Sequence, residues 1–164
     1  MECIEDFVET PDGWRLATYR YPNKSSKKYP VILVHGMGTN RFDLDCSIPR
    51  LSLAHYLHRH GYDTWVIELR GVGKSHKKNW VDRCVSSLRF DWTFDDYLFK
   101  DLPALVSHIQ RQTGSQKLHW AGHSLGGTLI YTAIETMGET MKPNPFASVV
   151  TLGSAMSASA KHGL

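Results

Sequence analysis

Leu118-His119-Trp120-Ala121-Gly122-His123-Ser124-Leu125-Gly126-Gly127 is the stretch whose reading decides the fold. Leu118 to Gly122 is a short apolar run of the kind that forms a buried strand, and Thr128 to Met137 reads as a helix. Between the two, Gly122, Ser124 and Gly126 have the G-x-S-x-G spacing of a sharp strand-to-helix turn. Such a turn lifts a serine hydroxyl above the end of a sheet. A serine hydroxyl is a weak nucleophile and needs exposure, a base and nearby amide donors. Gly122 and Gly126 let neighbouring backbone come close, and the Leu125 N–H, opening the helix, points where an oxyanion would form. The pattern also turns up by chance in loops; the strand before it and the helix after it favour the turn. His123 adjoins the serine, but neighbours on such a turn diverge, so it is expected to pack or bond locally and not to serve as base.

Upstream, Pro30-Val31-Ile32-Leu33-Val34 is an unbroken apolar run, as in a strand buried on both faces of a parallel sheet. It ends in His35-Gly36-Met37-Gly38. Any parallel strand can end in a glycine-rich turn, but paired with the serine turn this one offers the Met37 N–H as a second oxyanion donor. His35 and Gly36 support it.

The remaining elements alternate. Phe7 to Thr10 and Trp14 to Tyr21 read as strands joined by the turn Pro11-Asp12-Gly13, and Asn23 to Lys28 is a polar loop. Pro49 to His60 is broadly helical, with Gly61 at its end, and Thr64 to Ile67 is a further buried strand. Asn79 to Trp92 is irregular. Thr93 starts a helix, with Asp96 placed for a capping box and Leu98, Leu102, Leu105, Val106 and Ile109 on one stripe. Pro103 predicts a kink or break there. Ala147 to Leu152 is one more buried strand. This rhythm means α/β with a mostly parallel sheet.

The 164 residues make one domain at most, with strands over 6–21, an αβ core over 30–152 and a small, polar tail over 153–164. A formal charge of +3 is small. Its lysine clusters, Lys24, Lys27, Lys28 and Lys74, Lys77, Lys78, are not interleaved with aromatics, so nucleic-acid binding is not expected. Cys3, Cys46 and Cys84 are scattered, which argues against a disulfide framework and a zinc site. His55 and His58 are one turn apart without a carboxylate or cysteine, so a solvated helix face outranks a metal site. The stretch Glu68-Leu69-Arg70-Gly71-Val72-Gly73-Lys74-Ser75 lacks the first glycine of a phosphate loop, so nucleotide binding is rejected. The acidic start is not followed by an apolar run and no segment reaches membrane-span length; the expected location is the cytosol. Helix capping accounts for Asp95 and Asp96, and core packing for Trp65, Trp92 and Trp120.

Taken together, Val34-His35-Gly36-Met37-Gly38, Leu69-Arg70-Gly71-Val72-Gly73-Lys74-Ser75 and Gly122-His123-Ser124-Leu125-Gly126-Gly127 resemble the α/β-hydrolase superfamily. Asp12-Gly13, Gly61-Tyr62-Asp63-Thr64-Trp65, Trp92-Thr93-Phe94-Asp95-Asp96 and Asp101-Leu102-Pro103-Ala104 look like the gastric and lysosomal acid lipases and related bacterial and plant hydrolases. The resemblance covers about residues 6–152. It implies a three-layer α/β-hydrolase fold, a serine hydrolase of carboxylic esters, lipids among them, and no cofactor or metal. It makes Ser124 the nucleophile and Met37 and Leu125 the oxyanion hole. The acid and histidine of such enzymes follow the seventh and eighth strands, so the chain is expected to be the amino-terminal part, truncated after about the sixth strand. His162 could reach Ser124 in principle, though a frayed tail is the stronger reading. Two outcomes follow for the isolated chain: weak or absent turnover, or a catalytically inactive fragment whose open sheet edge pairs with itself or a partner.

Overall fold

Val31, Ile32, Leu33 and Val34 are all buried, and they alternate between two separate cores. A strand does this only when both faces of its sheet are covered. In the computed structural model, which describes residues 2–77, 91–137 and 143–155, this strand lies inside a mixed sheet of seven described strands. They are β1 (Ile4–Glu9), β2 (Trp14–Tyr21), β3 (Val31–Val34), β4 (Thr64–Ile67), β5 (His76–Lys77), β6 (Leu118–His123) and β7 (Phe146–Leu152). Their order is β1-β2-β4-β3-β6-β7, with β5 against β2. The hairpin and its join to β4 are antiparallel; β4, β3, β6 and β7 run parallel.

Helix α1 (Leu53–Arg59) closes one face over Ala17, Tyr19, Leu33, Val66 and Ala121. Helices α2 (Leu102–Thr113) and α3 (Leu125–Met137) close the other over Leu16, Ile32, Ile67 and Trp120. This is the three-layer arrangement that the α/β alternation implies. Trp65 and Trp120 are fully buried, as expected, while Trp92 is only partly covered and packs at the margin of the core.

Several boundaries differ from the sequence reading. Helix α1 begins at Leu53 and not Pro49, because Ser52 caps it by accepting from the His55 N–H at 3.1 Å. Helix α3 begins at Leu125 and not Thr128, because the N–H groups of Gly127 and Thr128 both donate to the Ser124 carbonyl at 3.0 Å and close the first turn there. The capping box forms: Thr93 N–H donates to Asp96 at 2.7 Å. Pro103 does not break the helix. A π turn over Tyr97–Asp101 precedes it, in which the Leu102 N–H reaches the Tyr97 carbonyl five residues back. The proline then falls in the first turn of α2, where its missing N–H is not needed.

β7 corrects the reading of a buried strand. Only Phe146 is buried on it, and Val150 and Leu152 are 52% and 39% exposed. It pairs with β6 alone, so it is the edge of the sheet among the described residues. The irregular stretch expected from Asn79, apart from Asp91 and Trp92, lies outside the described residues, as do Cys84, Lys78 and the tail beyond Ala155, His162 included.

Candidate active site

The chain turns at Ser124 with φ of 46°, the sole non-glycine residue at positive φ among those described. A side chain there costs about 1–3 kcal/mol, which surrounding structure must hold in place. Two close approaches do so. A Cβ on Gly122 would sit 2.3 Å from the Gly126 carbonyl, and one on Gly126 would sit 2.5 Å from the Val34 carbonyl oxygen. Only hydrogen fits at either position, which is why the turn needs both glycines. The Ser124 N–H is tied to the Leu152 carbonyl at 2.9 Å, so β7 braces the bend from the far side.

Ser124 is half-buried, and no described residue accepts from its hydroxyl or donates to it. Neither the Met37 nor the Leu125 N–H has an acceptor among the described residues. The loop after β3 lies against the bend: a Cβ on Gly36 would be 3.2 Å from the Ser124 Cβ. Two strand ends paired in register, Val34 against Gly122, bring these parts together. Beside them opens a cleft of about 350 Å³ lined by Met37, Leu69, Val72, Trp92, Tyr97 and Leu125. Trp92 donates its indole N–H to the Tyr97 hydroxyl at 2.6 Å, which fixes one wall.

The two imidazoles at the site are engaged elsewhere. His35 is buried; its Nδ1 donates to the Gly36 carbonyl at 2.7 Å and its Nε2 accepts from the Leu69 N–H at 3.2 Å. That pairing fits the neutral ring, and burial holds its pKa below the ordinary histidine value. His123 does not bond locally, in contrast to the sequence expectation. Its Nδ1 contacts the Asp43 carboxylate at 2.6 Å, 80 residues away. Burial works against the charge on Asp43, but the Gly36 N–H and the His123 ring outweigh it and keep that carboxyl below its usual range.

Sequence reasoning missed Asp43, which no motif marks, and it missed the charged cluster under the hairpin. Arg70 is almost fully buried and donates to Asp101 at 2.6 and 2.9 Å and to Asp12 at 2.8 and 3.2 Å. Asp96 stands 3.8 Å away, and Lys100 pairs with it at 2.6 Å. Asp96 is therefore both helix cap and ion-pair partner. The Glu68-to-Ser75 stretch is a turn after β4, with the Glu68 carboxylate accepting from the Lys74 N–H at 2.8 Å and the Tyr19 hydroxyl at 3.1 Å. His55 lies 3.8 Å from Asp45 on α1, and no three metal-binding side chains stand together among the described residues. Cys3 and Cys46 are free thiols.

A strand, a serine at positive φ and a helix are faced by a glycine-rich loop at the end of the neighbouring parallel strand, which is the backbone geometry of the G-x-S-x-G strand-to-helix turn. Residues 29–163 match the family model described as the alpha/beta hydrolase fold, and the chain belongs to that family. It is 36% identical over 141 residues to the gastric triacylglycerol lipase of Rattus norvegicus, covering 82% of this chain and 35% of the relative. It is 34% identical to lipase member K of Homo sapiens over 143 residues, with 82% and 35% covered. The chain thus spans about a third of the length of these curated relatives. Among solved structures, an esterase of Pyrococcus furiosus superposes with a TM-score of 0.68 at 19% identity, covering 93% of this chain and 50% of that one. The alpha/beta hydrolase GrgF from Penicillium gives a TM-score of 0.70 at 17% identity, covering 94% and 46%. These structural matches concern the fold. No described helix is long and apolar enough to cross a membrane.

Proposed function

We propose that this chain carries the nucleophile half of a serine hydrolase that cleaves carboxylic esters of lipids. In this reading the Ser124 oxygen attacks the ester carbonyl carbon, the alcohol leaves, and water later frees the acid from the acyl-enzyme. The carbonyl oxygen, negative in between, takes hydrogen bonds from the Met37 and Leu125 N–H groups. His35, Gly36, Gly122, His123 and Gly126 shape and support the bend. The observation that carries the reading is the serine held at φ of 46° with its hydroxyl free of partners among the described residues. The sequence likeness to triacylglycerol lipases supports a lipid ester as substrate, and the mostly apolar cleft beside the serine has room for an acyl chain. No cofactor or metal is called for in this chemistry.

A base must take the hydroxyl proton, and neither His35 nor His123 is turned to it. The isolated chain is therefore expected to react slowly. A fluorophosphonate probe tests this: covalent labelling that disappears in Ser124→Ala supports the reading, and its absence, or its survival in that variant, refutes it.

The exposed edge at β7 favours a second reading, a catalytically inactive unit that associates through this strand with itself or a partner. Val150 is 52% exposed there. Val150→Lys is then expected to shift the chain toward monomer in light scattering; an unchanged mass distribution counts against it.

A further inference from the structure

One carboxylate oxygen ties the two halves of the site together. Asp43 ends a short 3₁₀ turn, Arg41–Asp43, capped by the Asn40 side chain, which accepts from the Phe42 N–H at 3.0 Å. The turn folds the Asp43 side chain back beneath its own loop. There Oδ2 accepts from the Gly36 N–H at 3.1 Å, lies 3.3 Å from the Thr39 hydroxyl, and meets His123 Nδ1 at 2.6 Å. Gly36 directly precedes Met37, whose N–H has no acceptor among the described residues. His123 directly precedes Ser124. A single atom thus holds the residue before the amide donor and the residue before the nucleophile.

The packing leaves no slack in this bridge. A Cβ on Gly36 would lie 3.0 Å from His123 Nδ1, so the loop and the imidazole already touch. Yet the His123–Asp43 contact itself contributes little to holding the fold. The His123 and Asp43 side chains are 39% and 19% exposed, and ion pairs in such positions add little to stability. Their placement matters for a different quantity, the distance between the serine oxygen and the amide that must receive the oxyanion. Such donors work only within a few tenths of an ångström of about 2.9 Å, and a displacement of about 1 Å costs on the order of a hundredfold in rate.

We propose that Asp43 and His123 are positioning residues, which set the Met37 amide at its working distance from Ser124 during acyl transfer. This inference rests on Ser124 being the nucleophile. The test is the saturation kinetics of fluorophosphonate labelling, in which the Ser124 oxygen bonds to phosphorus, fluoride departs, and the hydroxyl proton passes to solvent. Asp43→Ala is expected to slow the maximal labelling rate about tenfold or more, while the half-saturating probe concentration stays close to wild type; the variant leaves the buried Gly36 N–H without its acceptor and melts lower, so rates are compared per folded molecule. Asp43→Asn keeps an oxygen that can take the place of Oδ2 and accept from both the Gly36 N–H and the His123 ring, and is expected to recover most of the rate. Should Asp43→Ala fail to fold, His123→Ala breaks the same bridge from the other side, with the same slowing expected. A maximal rate unchanged in the alanine variants overturns the proposal. So does a rate that falls only in proportion to the folded fraction, because the role is then structural. Failure of the wild-type chain to label, or labelling that survives Ser124→Ala, overturns the nucleophile reading and this inference with it.

Discussion

Replacing Arg70 by methionine keeps most of the side-chain volume and removes one charge from the centre of the cluster below the hairpin. Arg70 is 1% exposed and Asp101 is wholly buried, and the two share three hydrogen bonds, one of them to the Arg70 backbone N–H at 3.3 Å. Burial is the strongest influence on Asp101 and pushes its carboxyl upward; the guanidinium is what opposes that push. Without it a carboxylate stands in the core with no cation. Breaking a buried pair in this way costs about 3–5 kcal/mol, a large part of the roughly 5–15 kcal/mol that holds a domain of ordinary stability. The cost depends on pH with a definite sign. The Asp101 pKa in the folded variant lies above its unfolded value near 3.9, so the folded state binds the extra proton. The contribution of Asp101 to stability is then greatest below about pH 4 and falls as pH rises, by at most about 1.4 kcal/mol per unit, until the folded pKa is passed. Urea unfolding followed by circular dichroism at pH 7 and pH 4.5 measures both effects. Arg70→Met is expected to lose most at pH 7 and less at pH 4.5, and Arg70→Met with Asp101→Leu to regain most of the loss, since an apolar pair strands no charge. A single variant within about 1 kcal/mol of wild type at pH 7 refutes the reasoning, because it falls well short of the usual penalty for a stranded buried charge.

Three further outcomes follow. Gly126→Ala drives a methyl to 2.5 Å from the Val34 carbonyl oxygen, backbone against backbone, so the bend must open; a loss of at least tenfold in fluorophosphonate labelling is expected, on the order of what an ångström of misplacement costs, and retained labelling contradicts it. Ser124→Gly relieves a side chain at φ of 46° that Ser124→Ala leaves strained. The glycine variant is expected to melt higher than the alanine variant, by about 1 kcal/mol of stability, with labelling absent in both; the reverse order argues against strain at the bend. Burial holds the imidazoles of His35, His108 and His119 below their ordinary range. Each binds its proton more readily in the unfolded chain, so stability falls as pH drops below about 6.5. Asp101, raised by burial, opposes them as one group against three. The urea midpoint is expected to be lower at pH 5.5 than at 7.5, and a higher midpoint at 5.5 refutes it.

Much of the site was legible along the chain because its parts are local. The turn at Ser124 needs a strand, three residues of set spacing and a helix, and all lie within Leu118–Met137. The glycines at 122 and 126 are there because backbone lies within 2.5 Å of where a Cβ would stand, a constraint that leaves a mark on residue type. The apolar runs of β3 and β4 announce burial on both faces for the same reason. The π turn left no such mark; Pro103 signals a disturbance, and only the structure shows that it falls in the first turn of α2 while Leu98, Leu102 and Leu105 stay in one buried cluster.

Sequence alone therefore determined the α/β architecture and the bend at Ser124, because these depend on periodicity, glycine and short-range turn chemistry. Tertiary structure alone decided what the charged side chains do. Asp12 reads as a turn residue, yet it meets Arg70 across 58 positions, Asp101 meets Arg70 across 31, and Asp43 meets His123 across 80. A charged residue bound for solvent and one bound for a buried partner have the same local pattern. Which fate it takes is set by what the sheet register and helix packing bring opposite it.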